Sequence, residues 1–119
     1  MEWFHTDDYK ICRKVGKTSY EFIEFNQVDD LMLSSTGIID VTDYKDENGN
    51  WNNDAENIIR SYYRSIEELR KFVRPENEDQ IVAECLFECG SQFSTGSKTM
   101  SEEEAEQYLD DIVDGKIII

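Results

Sequence analysis

The sequence predicts an α+β fold: a small antiparallel or mixed β-sheet, opened by an N-terminal hairpin and packed by two amphipathic helices, in a single domain over residues 1–119. Three observations predict it. The first third of the chain alternates apolar and polar residues with the period of two that marks strands. Two later segments repeat their apolar residues at helical spacing behind recognisable caps. Apolar residues make up 39% of the 119, and aromatic ones 12%, which is enough for a packed core rather than a disordered chain.

Residues 9–15 put Tyr9, Ile11, Arg13 and Val15 on one side and Lys10, Cys12 and Lys14 on the other. Gly16, Lys17 and Thr18 supply a turn, and residues 19–28, "SYEFIEFNQV", follow as a run rich in aromatic and β-branched side chains. Two such runs about a short glycine-bearing turn read as a β-hairpin. Its bases, Lys10, Arg13, Lys14 and Lys17, face Glu21 and Glu24, so cross-strand charge pairing is expected. Residues 37–44, "GIIDVTDY", read as a third strand, and a polar loop with an Asn48-Gly49 turn signal comes after it.

Asn53-x-x-Glu56 has the form of a capping box for a helix over residues 54–74. Ile58, Ile59, Tyr62, Tyr63, Ile66, Leu69, Phe72 and Val73 share one broad face, with Arg60, Arg64, Glu67 and Lys71 opposite. Glu56 to Arg60 and Glu67 to Lys71 are favourably oriented pairs, worth about 0.2–0.5 kcal/mol each. Pro75 stops the helix.

Residues 80–89, "QIVAECLFEC", fit either a strand or an apolar helix. The strand is favoured, because the alternation Ile81, Ala83, Cys85, Phe87, Cys89 is complete and Gly90 ends it. A turn-rich connection over residues 90–98 follows, with a short strand around Phe93.

Residues 101–115, "SEEEAEQYLDDIVDG", form the second helix. Ser101-x-x-Glu104 is its capping box, Met100 is placed to staple onto Ala105, and Gly115 suits the C′ position. Ala105, Tyr108, Leu109, Ile112 and Val113 make an apolar arc that docks on the sheet. Seven acids, Glu102, Glu103, Glu104, Glu106, Asp110, Asp111 and Asp114, face outward with no base among them. The helix dipole accounts for the first three glutamates. Glu106, Asp110, Asp111 and Asp114 continue the stripe where the dipole prefers bases, and Asp is a modest helix former. Fourteen helical residues span about 21 Å, so the charges recur about every 3 Å, close to the ~3.4 Å between phosphates of one nucleic-acid strand. Glu84 and Glu88, on the strand expected beside this helix, would extend the surface. The stripe is thus either a solvated face or a surface for a partner. "KIII" closes the chain as a short strand.

Charge narrows the function classes. The chain has 27 acids against 12 bases, a net of −15, and residues 76–119 carry −10 of it. Direct nucleic-acid binding needs basic surface, and anionic membrane repels such a chain; a basic protein partner, or a cation such as Ca²⁺, is favoured. Cys12, Cys85 and Cys89 lack framework spacing and read as reduced thiols in a cytoplasmic protein. No apolar run has transmembrane length, and "MEWFHTDD" lacks the form of a secretion signal.

No motif carries catalysis, and the chain is not expected to be an enzyme. His5 is the lone histidine and has no nucleophile signature around it. "GKTSY" at Gly16 lacks the upstream glycine of a phosphate loop. With Gly49 at the glycine position of a calcium loop, Tyr44 and Ala55 occupy the first and last ligand positions, which excludes an EF-hand. On a strand Cys85 and Cys89 would lie about 13 Å apart, too far to share zinc. No cofactor is expected. Trp51, after the turn, is either an aromatic anchor for a partner or a core residue.

The short chain, the −15 charge and "SEEEAEQYLDD" together resemble small acidic counter-defence proteins of phages and mobile elements, the anti-CRISPR and anti-restriction inhibitors. The resemblance implies a nucleic-acid mimic that occupies the basic groove of a partner, a CRISPR effector or other nuclease, inside the host bacterial cytoplasm. Glu102, Glu103, Glu106, Asp110, Asp111 and Asp114, with Glu84 and Glu88, would be the partner-binding residues. The alternative is a non-inhibitory interaction module or accessory protein of a mobile element, whose acids serve solubility only.

Overall fold

The computed structural model describes residues 2–89 and 98–118. Among the described residues, five antiparallel strands form one sheet in sequence order: β1 (Phe4–Asp7), β2 (Lys10–Lys14), β3 (Ser19–Val28), β4 (Leu31–Asp40) and β5 (Thr99–Met100). The same residues form four α-helices: α1 (Asn53–Tyr62), α2 (Ile66–Phe72), α3 (Glu78–Cys89) and α4 (Glu102–Val113). The α+β class is therefore correct, with two more helices than expected and a wholly antiparallel sheet.

The expected hairpin is β2–β3, with Lys10 opposite Glu24 and Arg13 opposite Glu21. The charges pair as the register demands, Arg13 with Glu21 at 2.8 Å and Lys10 with Glu24 at 3.7 Å. β1 adds a further strand before it. β3 and β4 meet through a two-residue turn, in which Asp29 takes φ 58°, a left-handed conformation Asp tolerates better than most residues. The third strand thus starts six residues earlier than Gly37, and Val41–Tyr44 turns as a 3-10 helix capped by the Asp40 carboxylate. Ser34, Ser35 and Thr36 hid the strand, because they lie at its centre where apolar residues were expected.

The segment over residues 54–74 is two helices rather than one. Asn52, not Asn53, caps α1 and accepts from the Ala55 amide. The chain turns extended at Tyr63, and Ser65 restarts it by accepting from the Glu68 amide. Ser65-x-x-Glu68 is an N-cap signature inside the periodic run. The break lets Ile59 and Leu69, both fully buried, reach one core from different helix axes. Lys71 pairs with Glu68 at 3.0 Å rather than with Glu67.

Residues 80–89 lie in a helix, which corrects the strand reading. Val82, Ala83, Cys85, Leu86 and Phe87 are all buried, so both faces of the would-be strand are apolar contacts of α3. Periodicity cannot separate the two states when an element is covered nearly all round. The expected strand around Phe93 lies outside the described residues. Residues 116–118 form no strand, and Ile118 is 92% exposed.

Alternate residues of β2 and β3 feed two cores on opposite faces of the sheet. Cys12, Tyr20 and Phe22 pack with Ile59, Leu69, Val82, Leu86 and the buried Trp51. Ile11, Ile23 and Phe25 pack with Trp3, Met32, Ala105, Leu109 and Ile112. Phe22 stacks on Phe87 at 5.0 Å on the α3 face, and Phe25 meets Tyr108 edge-on at 6.0 Å on the α4 face. Trp51 is a core residue, 6% exposed, with Nε1–H donating to Glu78 Oε2 at 3.0 Å and Lys45 over its ring. It is not an exposed anchor.

Candidate acidic interface

α4 follows its sequence closely. Ser101 accepts from the Glu104 amide, and the Glu104 carboxylate accepts from the Ser101 amide, a complete capping box. At the other end Gly115, at φ 81°, lets its own amide and that of Lys116 close on the carbonyls of Ile112 and Asp111. Ala105, Leu109 and Ile112 are buried, so the opposite side of the helix must face water. Glu102, Glu103, Glu104, Glu106 and Asp114 are exposed, and Asp110 and Asp111 are half-buried.

The stripe divides into engaged and free carboxylates. His5 Nε2 lies 2.9 Å from Asp110 Oδ1, while its Nδ1 lies 3.2 Å from the Asp7 carbonyl. Both ring nitrogens are therefore engaged, one on the stripe and one on the β1 backbone. Asp111 accepts from Gln107 at 2.8 Å. Glu102 accepts from the Tyr9 hydroxyl at 2.9 Å, and that hydrogen bond, followed by burial, pushes the Tyr9 phenol up to about 12. Glu103, Glu106 and Asp114 make no ion pair or side-chain hydrogen bond among the described residues.

The sequence missed half of this surface. Asp7, at the end of β1, and Asp8, in the turn that follows, join Glu106 and Asp110 around a shallow cleft of about 390 Å³. More than ninety residues separate the two segments, and no local pattern ties them. The first strand, which was not expected, brings them together.

Glu84 and Glu88 do not extend the stripe. They lie on α3, across the sheet from α4, and turn inward to Lys10 at 3.7 Å and 2.8 Å. Lys10 is only 7% exposed and also meets Glu24, so three carboxylates surround one buried ammonium. These glutamates are part of the packing between helix and sheet.

The remaining groups have local explanations. Asp46 accepts from the amides of Asn48 and Asn50, which uses its carboxylate to shape the turn. Cys85 and Cys89 sit one helical turn apart, so the ~13 Å separation expected of a strand does not apply. Burial pushes the thiols of Cys12 and Cys85 up to about 12, which keeps them protonated and poorly nucleophilic. Among the described residues no group of three or more His, Cys, Asp or Glu side chains is placed to hold a metal ion, and no helix is long and apolar enough to cross a membrane.

No family model, no curated protein and no solved structure matches this chain.

Proposed function

We propose that this chain is a cytoplasmic inhibitor that binds the nucleic-acid groove of a basic partner, an effector nuclease of the CRISPR or restriction type, by presenting carboxylates in place of phosphates. The observation that carries the reading is the outward side of α4, where Glu103, Glu106 and Asp114 stand exposed and unpaired among the described residues. Asp7, Asp8 and Glu102 widen it on one flank. Its opposite side is fixed to the sheet by Ala105, Leu109 and Ile112, so the charges are held on a rigid support. The action is binding, with no catalytic step. The net charge of −15 steers the chain toward a positive cleft, and fixed carboxylates then pair with Arg and Lys.

A second reading has its own support. His5 and Gln107 already engage Asp110 and Asp111, as expected of a helix face that is stabilised internally and merely solvated. The chain would then be an interaction module that docks elsewhere.

A salt series separates the two. The chain is titrated into DNA-cleavage reactions of a panel of CRISPR effector and restriction nucleases at increasing ionic strength. Mimicry predicts inhibition of at least one of them, competed by added DNA and weakening by at least about tenfold between 50 and 200 mM salt. Cleavage by every nuclease unaffected, or inhibition that ignores salt, would reject it.

A further inference from the structure

On the α3 face, three glutamates share one lysine in a partly enclosed site. Lys10 Nζ lies 2.8 Å from Glu88 Oε1, 3.7 Å from Glu84 Oε2 and 3.7 Å from Glu24 Oε2. Glu84 Oε1 is buried and has no hydrogen bond among the described residues. Fully ionised, the group would carry two uncompensated negative charges in a poorly solvated site, which is costly. Lys10, Glu84 and Glu88 line a cleft of about 440 Å³ together with Tyr62, Tyr63, Ile81 and Cys85.

We propose that Lys10, Glu24, Glu84 and Glu88 form a proton-operated latch between α3 and the sheet. One proton shared by Glu24 and Glu88 holds the latch closed, and its loss to solvent loosens α3 from β2 and β3.

The surroundings support this assignment. Burial, followed by a hydrogen bond with Glu88, pushes Glu24 up to about 7. Burial also raises Glu84. Burial opposes the charged form of Glu88 as well, but the hydrogen bonds with Glu24 and Lys10 outweigh it and hold Glu88 low. The proton therefore belongs to the Glu24–Glu88 pair as a unit. On β3, Asn26 Nδ2 donates to Glu24 Oε1 at 3.1 Å, and Ser35 of β4 sits opposite Glu24. On β1, Asp7 adds negative potential at Glu84 and Glu88, while the Thr6 hydroxyl beside Glu84 donates to the Lys10 carbonyl at 3.4 Å. From α1, Tyr62 and Tyr63 face the cluster, with their phenols raised first by burial. Cys85, on α3, lines the same cleft, and Cys12 lies on β2. Among the described residues only Lys10 offers the carboxylates a cation within ion-pair distance.

The sign follows from linkage. Glu24 binds its proton more tightly folded than unfolded, so its contribution is complete below the ordinary carboxylate range. It is lost as pH rises through about 7. The low Glu88 acts in the opposite sense, but only in more acid solution, and the raised Lys10 only in more alkaline solution. Neither masks the window. Linkage caps the effect of the whole shift at about 300-fold, of which about 30-fold falls between pH 5.5 and 8, and relaxation lowers the expectation to about tenfold.

The test is amide hydrogen exchange of the full chain between pH 5.5 and 8, corrected for the intrinsic exchange rate, with α4 as internal reference. Protection of α3 is expected to fall about tenfold more than that of α4, and Glu24→Gln is expected to abolish the difference. Should Glu24→Gln fail to fold, carbon NMR of the wild-type carboxyl groups gives the answer directly. A Glu24 midpoint near 7, with the Glu88 signal moving in the same step, supports the latch. Equal pH dependence of α3 and α4, or a Glu24 midpoint in the ordinary carboxylate range, overturns it.

Discussion

Glu84 and Glu88 on α3, and Glu102 and Glu106 on α4, have the same four-residue spacing and pack against opposite faces of one sheet. The first pair meets a lysine that is only 7% exposed, with Glu84 half-buried and Glu88 still reaching solvent, while the second pair meets no base and is exposed. What differs is the sheet beneath. β2 offers Lys10 on the α3 face, and on the α4 face it offers Ile11 and an Arg13 already committed to Glu21 and the Trp3 ring. A glutamate pair on a helix is therefore a structural part or a surface according to what the opposing strand provides. The α3 carboxylates should matter to stability and to its pH dependence, and the unpaired ones of α4, Glu103, Glu106 and Asp114, should matter to neither.

The largest expected effect breaks the inward cluster. Lys10→Met leaves Glu24, Glu84 and Glu88 around an apolar side chain, and removing one partner of a buried pair costs about 3–5 kcal/mol. Urea unfolding at pH 7 reads this as a lowered midpoint, and recovery on acidification is expected as the orphaned carboxylates protonate. A cost below about 0.5 kcal/mol, the level of an ordinary surface substitution, would mean that the cluster is solvated and the contrast with α4 is lost. A smaller effect sharpens the other side. Ser101→Ala removes one hydrogen bond of the capping box and should cost about 1 kcal/mol by the same measurement, with early exchange confined to the first turn of α4. An unchanged midpoint would show that packing on the sheet alone holds that helix.

Much of this architecture is legible in the sequence where local chemistry decides. The β2–β3 hairpin, the capping box at Ser101, Gly115 at C′ and the outward stripe all follow from signals a few residues long. The rest depends on contacts between distant segments. Alternation along residues 80–89 suggests a strand, but burial of both faces and the demand of Lys10 for two carboxylates on one side are met by a helix. Ser65 ends a periodic run that continues in pattern on both sides of it, and Ser34–Thr36 make a strand centre look like a turn. In the candidate surface, Asp7 and Asp8 meet Glu106 and Asp110 only through the pairing of β1 with β2. Nothing within either segment announces that meeting.

The proposed function assigns the stripe on α4 to a partner and not to the fold. It is tested most directly by the triple variant Glu106→Lys, Asp110→Lys, Asp114→Lys, compared with wild type in urea unfolding and in the DNA-cleavage competition. The two unpaired sites sit on exposed surface, and bases near the C-terminal end of a helix suit its dipole, while Asp110 gives up only a partly exposed pair with His5. An unfolding free energy within about 1 kcal/mol of wild type is expected, together with at least a tenfold loss of inhibition. A folded triple variant that inhibits the nuclease as wild type does would contradict it.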